Sequence, residues 1–219
     1  MADLNVALLG FLGVLIGGYF NNFLAEDYKR FRDSQALAGA LAGELESHAE
    51  AIPLIKLGLN GMLSTAASGA DLNLPEWPVP ASPVFDENAA KIGQLGPGLA
   101  NGSAYVYENI RAFRNAFHLL SKNHGAMPVD WKVAIITNCI NTIERAEKRG
   151  GPLIQHLKEH AAASYWKRPA TIKQCVFVAL FFATFMFGAS LYGARAAATG
   201  TNCTTVFDHD KGTLHTVCK

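Results

Sequence analysis

The stretch VYENIRAFRNAFHLL, residues 106–120, decides how the middle of this chain folds. Val106, Ile110, Phe113, Phe117 and Leu120 step by four, three, four and three residues, so at 3.6 residues per turn they share one stripe of a helix. Glu108, Arg111, Arg114 and Asn115 take the other faces. A helix divided in this way must bury its apolar stripe.

The same period continues on both sides. Upstream, Tyr28, Phe31, Leu37, Leu41, Leu45 and Ile52 recur mostly at three- and four-residue steps, and Pro53 is expected to kink or end that helix. Downstream, Ile136, Ile140 and Ile143 form one stripe and Leu153, Leu157, Ala161 and Tyr165 another, with a break or kink expected near Gly150-Gly151-Pro152. Between the first two helices, residues 71–83 carry prolines at 75, 78, 80 and 83, which exclude helix and central strand and leave an extended connector pinned by Trp77. Ser82-Pro83 has the form of an N-cap followed by proline at the first helical position; the short helix it opens should stop at Gly93, and Pro97 opens the next. No run alternates with period two in this region, so the expectation is an antiparallel helical bundle of three long helices and a short one.

The ends read differently. LNVALLGFLGVLIGGYFNNFL, residues 4–24, and CVFVALFFATFMFGASLY, residues 175–192, carry no charge, and each has about the length that crosses a hydrocarbon core. The start Met-Ala-Asp lacks the basic residues of a cleaved signal peptide. The expected fold class is therefore an all-α membrane protein, with transmembrane helices at 4–24 and 173–195, a cytoplasmic helical bundle at 25–172 and a short extracytoplasmic tail at 196–219. Of the 19 basic residues only Arg195, Lys211 and Lys219 lie outside the segment between the spans. Under the positive-inside rule that places a bacterial inner-membrane protein with both termini extracytoplasmic. Gly13 and Gly17 form a GxxxG, and Ala189 with Gly193 offers a matching small face, so these positions are expected to pack helices together. Cys203 and Cys218 bracket the polar tail and are a candidate disulfide, with two free thiols as the alternative.

The segment SPVFDENAAKIGQLGPGLANGSAYVYENIRAF, residues 82–113, spaces an aromatic, an asparagine, a hydrophobic-Gly-x-Leu turn and a second aromatic at Phe85, Asn88, Ile92, Gly93, Leu95 and Tyr107. It resembles a stretch of small bacterial membrane-anchored helical proteins of uncharacterised function. The resemblance implies a bacterial origin and no activity. The same segment reads as an αα-corner in which Gly93 and Gly96 allow left-handed backbone while Phe85, Ile92 and Leu95 insert into the bundle.

Chemistry-bearing clusters are sparse. With 19 basic and 18 acidic residues the bulk charge gives no reason to expect nucleic acid. There is no phosphate-cradling glycine loop and no nucleophile elbow. His156 and His160 lie one helical turn apart, as do Glu44 and His48, and four such groups on facing helices could surround a divalent metal. Two solvated helix faces are the plainer explanation, because His-Leu-Lys-Glu-His is not HExxH and the di-iron Glu-x-x-His pattern is missing. His118 and His124 are expected to complement a helix dipole, and Cys139 to be a small buried residue. The expected function is thus a membrane-anchored scaffold, adaptor or sensor without catalytic activity or cofactor, whose partners are the lipid bilayer and a second copy or a membrane protein. The alternative is a metal-binding or enzymatic bundle using Glu44, His48, His156 and His160.

Overall fold

The computed structural model describes residues 10–11, 13–14, 17–18, 20–198, 203–208 and 213–218, with side chains described as far as residue 184 except at 20 and 21. Two compact units divide the chain, Met1–Ala163 and Ser164–Lys219. In the first, a π-helical turn at Phe20–Leu24 leads into α1 (Ala25–Ala67), the short α2 (Pro83–Asn88), a 3-10 segment at Ala89–Leu95, α3 (Pro97–Asn123), a 3-10 turn at His124–Ala126 and α4 (Val129–Ala162). The helical class expected from periodicity is what forms.

The stripe at 106–120 is the inner edge of α3: Val106, Ile110 and Leu120 are buried, and Phe113 and Phe117 are partly so. Two apolar clusters make the core. One joins Leu37, Leu41 and Leu45 of α1 to Val106 and Tyr107 of α3 and to Leu153 and Leu157 of α4. The other gathers Leu59, Leu120, Ile136 and Cys139. Complete burial of a leucine such as Leu41 or Leu157 is worth roughly 2 kcal/mol.

The α4 helix packs along both α1 and α3, whereas α1 and α3 scarcely approach one another at the backbone. Lys56 pairs with Glu147 and Glu46 with Lys158, so α1 and α4 are antiparallel. Gly102 faces Leu153 and Arg145 donates to Asn109, so α3 is antiparallel to α4 as well. It follows that α1 and α3 point the same way, a departure from the all-antiparallel expectation. The connector between them must travel back along the bundle to start α3, and it does so in the trough that α1 and α3 leave open. Its acids pair successively with cations of the frame, Asp71 with Lys132, Glu76 with Lys122 and Asp86 with Arg111. Such pairs add little stability each, but together they fix where the connector lies.

Three local expectations change. Pro53 neither ends nor interrupts α1, and α4 runs through Gly150, Gly151 and Pro152. A proline inside a helix costs about 3 kcal/mol, and the buried Ile52 and Leu59 around Pro53, with Gly150 and Leu153 around Pro152, outweigh that by packing. The turn after α2 is stopped by Gly96, at φ +83°, and not by Gly93, whose backbone does not enter the left-handed region.

The second unit holds a 3-10 turn at Tyr165–Lys167, α5 (Pro169–Ala198) and two antiparallel strands, β1 (Cys203–Asp208) and β2 (Thr213–Cys218). The segment expected as a plain tail is therefore a hairpin. Along α5, Val176, Phe177 and Leu180 are exposed. Among the described residues no helix is long and apolar enough to cross a membrane. This corrects the expected transmembrane helices, the membrane anchoring and the multi-pass inner-membrane location with both termini outside. Uncharged sequence alone does not make a crossing, which takes about 20 consecutive, predominantly apolar residues in a single helix. Most of the stretch 4–24 lies outside the described residues, and directly after its end α1 carries Glu26, Asp27, Lys29, Arg30 and Arg32.

Candidate functional site

The site lies in the trough between α1 and α3, where the connector crosses it. Its lower part is built on Glu44. That carboxylate accepts the backbone N–H of Val84 at 3.0 Å and of Phe85 at 3.1 Å, and the hydroxyl of Tyr107 at 2.7 Å. The first N–H groups of a helix have no partner within it. Ser82 occupies the cap position of α2 without a side-chain cap bond, so α1 supplies the cap from forty residues away. Ser82 does other work: its N–H donates to Asp86 Oδ2 at 3.1 Å, and its Oγ accepts from Arg114 Nη1 at 2.7 Å. Phe85 stacks on Tyr107 with ring centroids 4.0 Å apart. The Tyr107 hydroxyl is held well above its ordinary pKa by burial first and then by its bond to Glu44.

Five residues before Ser82 on the connector, the backbone of Trp77 is caught at both ends. Its N–H donates to Ser121 Oγ at 3.0 Å, and its carbonyl accepts from His118 Nδ1 at 2.7 Å. Its indole meets Phe117 edge-on at 6.5 Å and remains more than half exposed. Trp77, Pro78 and Pro80 thus form a strap over an apolar cavity of about 390 Å³, walled by Leu54, Ile55, Gly58, Leu59 and Met62 of α1 and by Phe113 and Phe117 of α3. Arg114 is the one charged residue lining it, and it also lines a polar cleft of about 270 Å³ beside Ser82, Asp86 and Arg111. Burial lowers the Arg114 pKa, against the opposing pull of Glu44 and Asp86. Arg114 Nη2 lies 3.4 Å from His48 Nε2. His48 is itself shifted below 6.5, by burial first and then by the Arg114 cation. A neutral imidazole that accepts from the guanidinium fits both observations.

The residues proposed for a metal are not brought together. Glu44 caps α2, His48 faces Arg114, and His160 Nε2 sits 2.8 Å from Ser34 Oγ, whose hydroxyl donates to the Gln94 carbonyl at 2.9 Å. His156 is exposed. No group of three His, Cys, Asp or Glu able to hold a metal occurs among the described residues. The remaining candidates fall elsewhere. A methyl group added at Gly13 or Gly17 would meet nothing within 4 Å, while Ala189 and Gly193 belong to the part of α5 whose side chains lie outside the described residues. Cys203 and Cys218 stand directly opposite one another in the register of β1 and β2. Cys139 is fully buried and its thiol is pushed up to about 12 by that burial. His118 and His124 bind the carbonyls of Trp77 and Ser121, so His118 anchors the strap instead of answering a helix dipole.

Sequence reasoning placed Arg114 only on a face other than the apolar stripe. The available signal was that it follows Phe113 directly and so borders the apolar stripe. Glu44 gave no signal of its role, because its partners are far away in sequence. Comparison with protein-family models, with curated proteins and with solved structures gives no match, and the functional reading therefore rests on the chain's own geometry.

Proposed function

We propose that the first unit is a non-catalytic binding module, an adaptor or sensor that takes up a small apolar molecule between α1 and α3. The observation that carries this reading is the cavity under the Trp77–Pro80 strap, which falls within the roughly 300–1,000 Å³ usual for ligand sites and has an almost wholly apolar lining. An occupant would touch α1, α3 and the strap together, so binding would change the free energy of the strap's closed position relative to any other. The alternative metal or enzymatic reading of Glu44, His48, His156 and His160 has no comparable support, since each of the first two and His160 is engaged elsewhere.

Gly58→Leu tests the proposal. A side chain at Gly58 would grow into the cavity without meeting any atom within 4 Å at its Cβ. The same change should also raise helix stability, by nearly 1 kcal/mol in the interior of a helix. Saturable binding of the neutral dye Nile red to the wild-type chain, lost in Gly58→Leu while thermal stability is kept or raised, is the expected result. Equal dye binding by both proteins would overturn it.

A further inference from the structure

We infer that the ligand of this cavity is an aliphatic monocarboxylate, with its chain under the Trp77–Pro80 strap and its carboxylate against Arg114. The inference rests on the binding reading above and names the ligand class for that same site. It starts from an imbalance at Arg114. This guanidinium is half-buried at the junction of an apolar cavity and a polar cleft. It has five N–H donors, and its hydrogen-bond partners are Ser82 Oγ at 2.7 Å and His48 Nε2 at 3.4 Å. Among the described residues no carboxylate forms an ion pair with it, although its neighbour Arg111 pairs with both Asp86 and Glu108.

The nearby acids are committed. Glu44 is taken up by the α2 N-terminus and the Tyr107 hydroxyl, and Asp86 by the Ser82 N–H and Arg111. They keep Arg114 charged through space without satisfying its fork. A desolvated cation with unused donors selects an anion, and the planar fork of arginine matches a carboxylate. A chain is selected by the remainder of the site. From Leu54 to Met62, α1 walls the cavity for about 12 Å at ~1.5 Å per helical residue, and no other charged residue lines it. That is the length of a medium alkyl chain, not of a compact polar metabolite.

Isothermal titration of the full chain with decanoate and with 1-decanol separates head from tail. The expected result is decanoate binding roughly ten- to a hundredfold more tightly than decanol, the range of a charge-assisted hydrogen-bonded contact. Gly58→Leu should abolish both, and Arg114→Gln should bring decanoate down to the affinity of decanol. Arg114→Lys keeps the charge but loses the fork, and should retain part of the preference. Equal affinity of the wild-type protein for the acid and the alcohol would overturn the carboxylate inference while leaving the apolar site intact. Failure of both compounds to bind would remove both readings.

Discussion

Replacing Glu44 by alanine should destabilise the first unit far more than its place on the middle of a long helix suggests. Three donors depend on that carboxylate, the N–H groups of Val84 and Phe85 and the hydroxyl of Tyr107. Hydrogen bonds to a charged group are worth about 1.5–3 kcal/mol each, and an anion at a helix N-terminus adds about 0.3–1 kcal/mol. The low ends of these ranges come to about 5 kcal/mol, but Glu44 is only half-buried, so water replaces part of what is lost and the net loss should be about 3 kcal/mol. For a domain of this size that corresponds to a fall of about 6–12 °C in Tm. Tyr107→Phe removes one of the three bonds and should cost about 1 kcal/mol. In a double-mutant cycle that cost should largely vanish once Glu44 is gone, because the two residues share one interaction. As a control, Glu46→Ala breaks an exposed pair with Lys158 and should cost no more than about 1 kcal/mol. Urea unfolding followed by circular dichroism measures all four proteins. A loss below about 0.5 kcal/mol for Glu44→Ala, the level of an ordinary surface change, would refute the assignment of Glu44 as the cap of α2.

Two further outcomes follow from the same geometry. His48 has its folded pKa lowered below 6.5 by burial and then by Arg114, so the unfolded chain binds its proton more readily; the stability it contributes is complete above pH 6.5 and is lost as the pH falls below that toward the folded pKa. Denaturation midpoints between pH 7.5 and 5 should therefore drop less steeply in His48→Gln than in the wild-type chain, and the His48 ring should titrate below 6.5 by NMR. Thiol labelling of the native protein should reach the exposed Cys175 and spare Cys139, whose thiol stays protonated through the neutral range. In a glutathione redox buffer Cys203 and Cys218, paired in register, should form a disulfide, seen as a mass lower by two hydrogens that is restored on reduction; two labelled thiols in both states would contradict it.

Periodicity made the helices legible because a stripe such as Val106, Ile110, Phe113, Phe117 and Leu120 needs no knowledge of its partner to declare a buried face. The connector was legible for an equally local reason: four prolines between 75 and 83 cannot be helical. The prolines at 53 and 152 show where local rules stop. Each breaks a helix rule, and each is carried through by packing that depends on residues distant in sequence. Hydropathy suggested spans at the two ends, and among the described residues no helix is long and apolar enough to be one.

The sequence by itself determined that the first unit is helical, where its extended segment lies, and that Cys139 is buried. It also set Phe85, Leu95 and Tyr107 among the residues that matter, and the structure brings these three into one cluster. Only the tertiary structure decided that α1 and α3 point the same way, that the connector runs back between them, and that a carboxylate on α1 caps a helix forty residues later. Those features consist of hydrogen bonds and contacts between distant segments, whose energy depends on where the backbone puts them. The cavity beneath Trp77 has the same origin, since it is the part of the trough that the connector covers without filling.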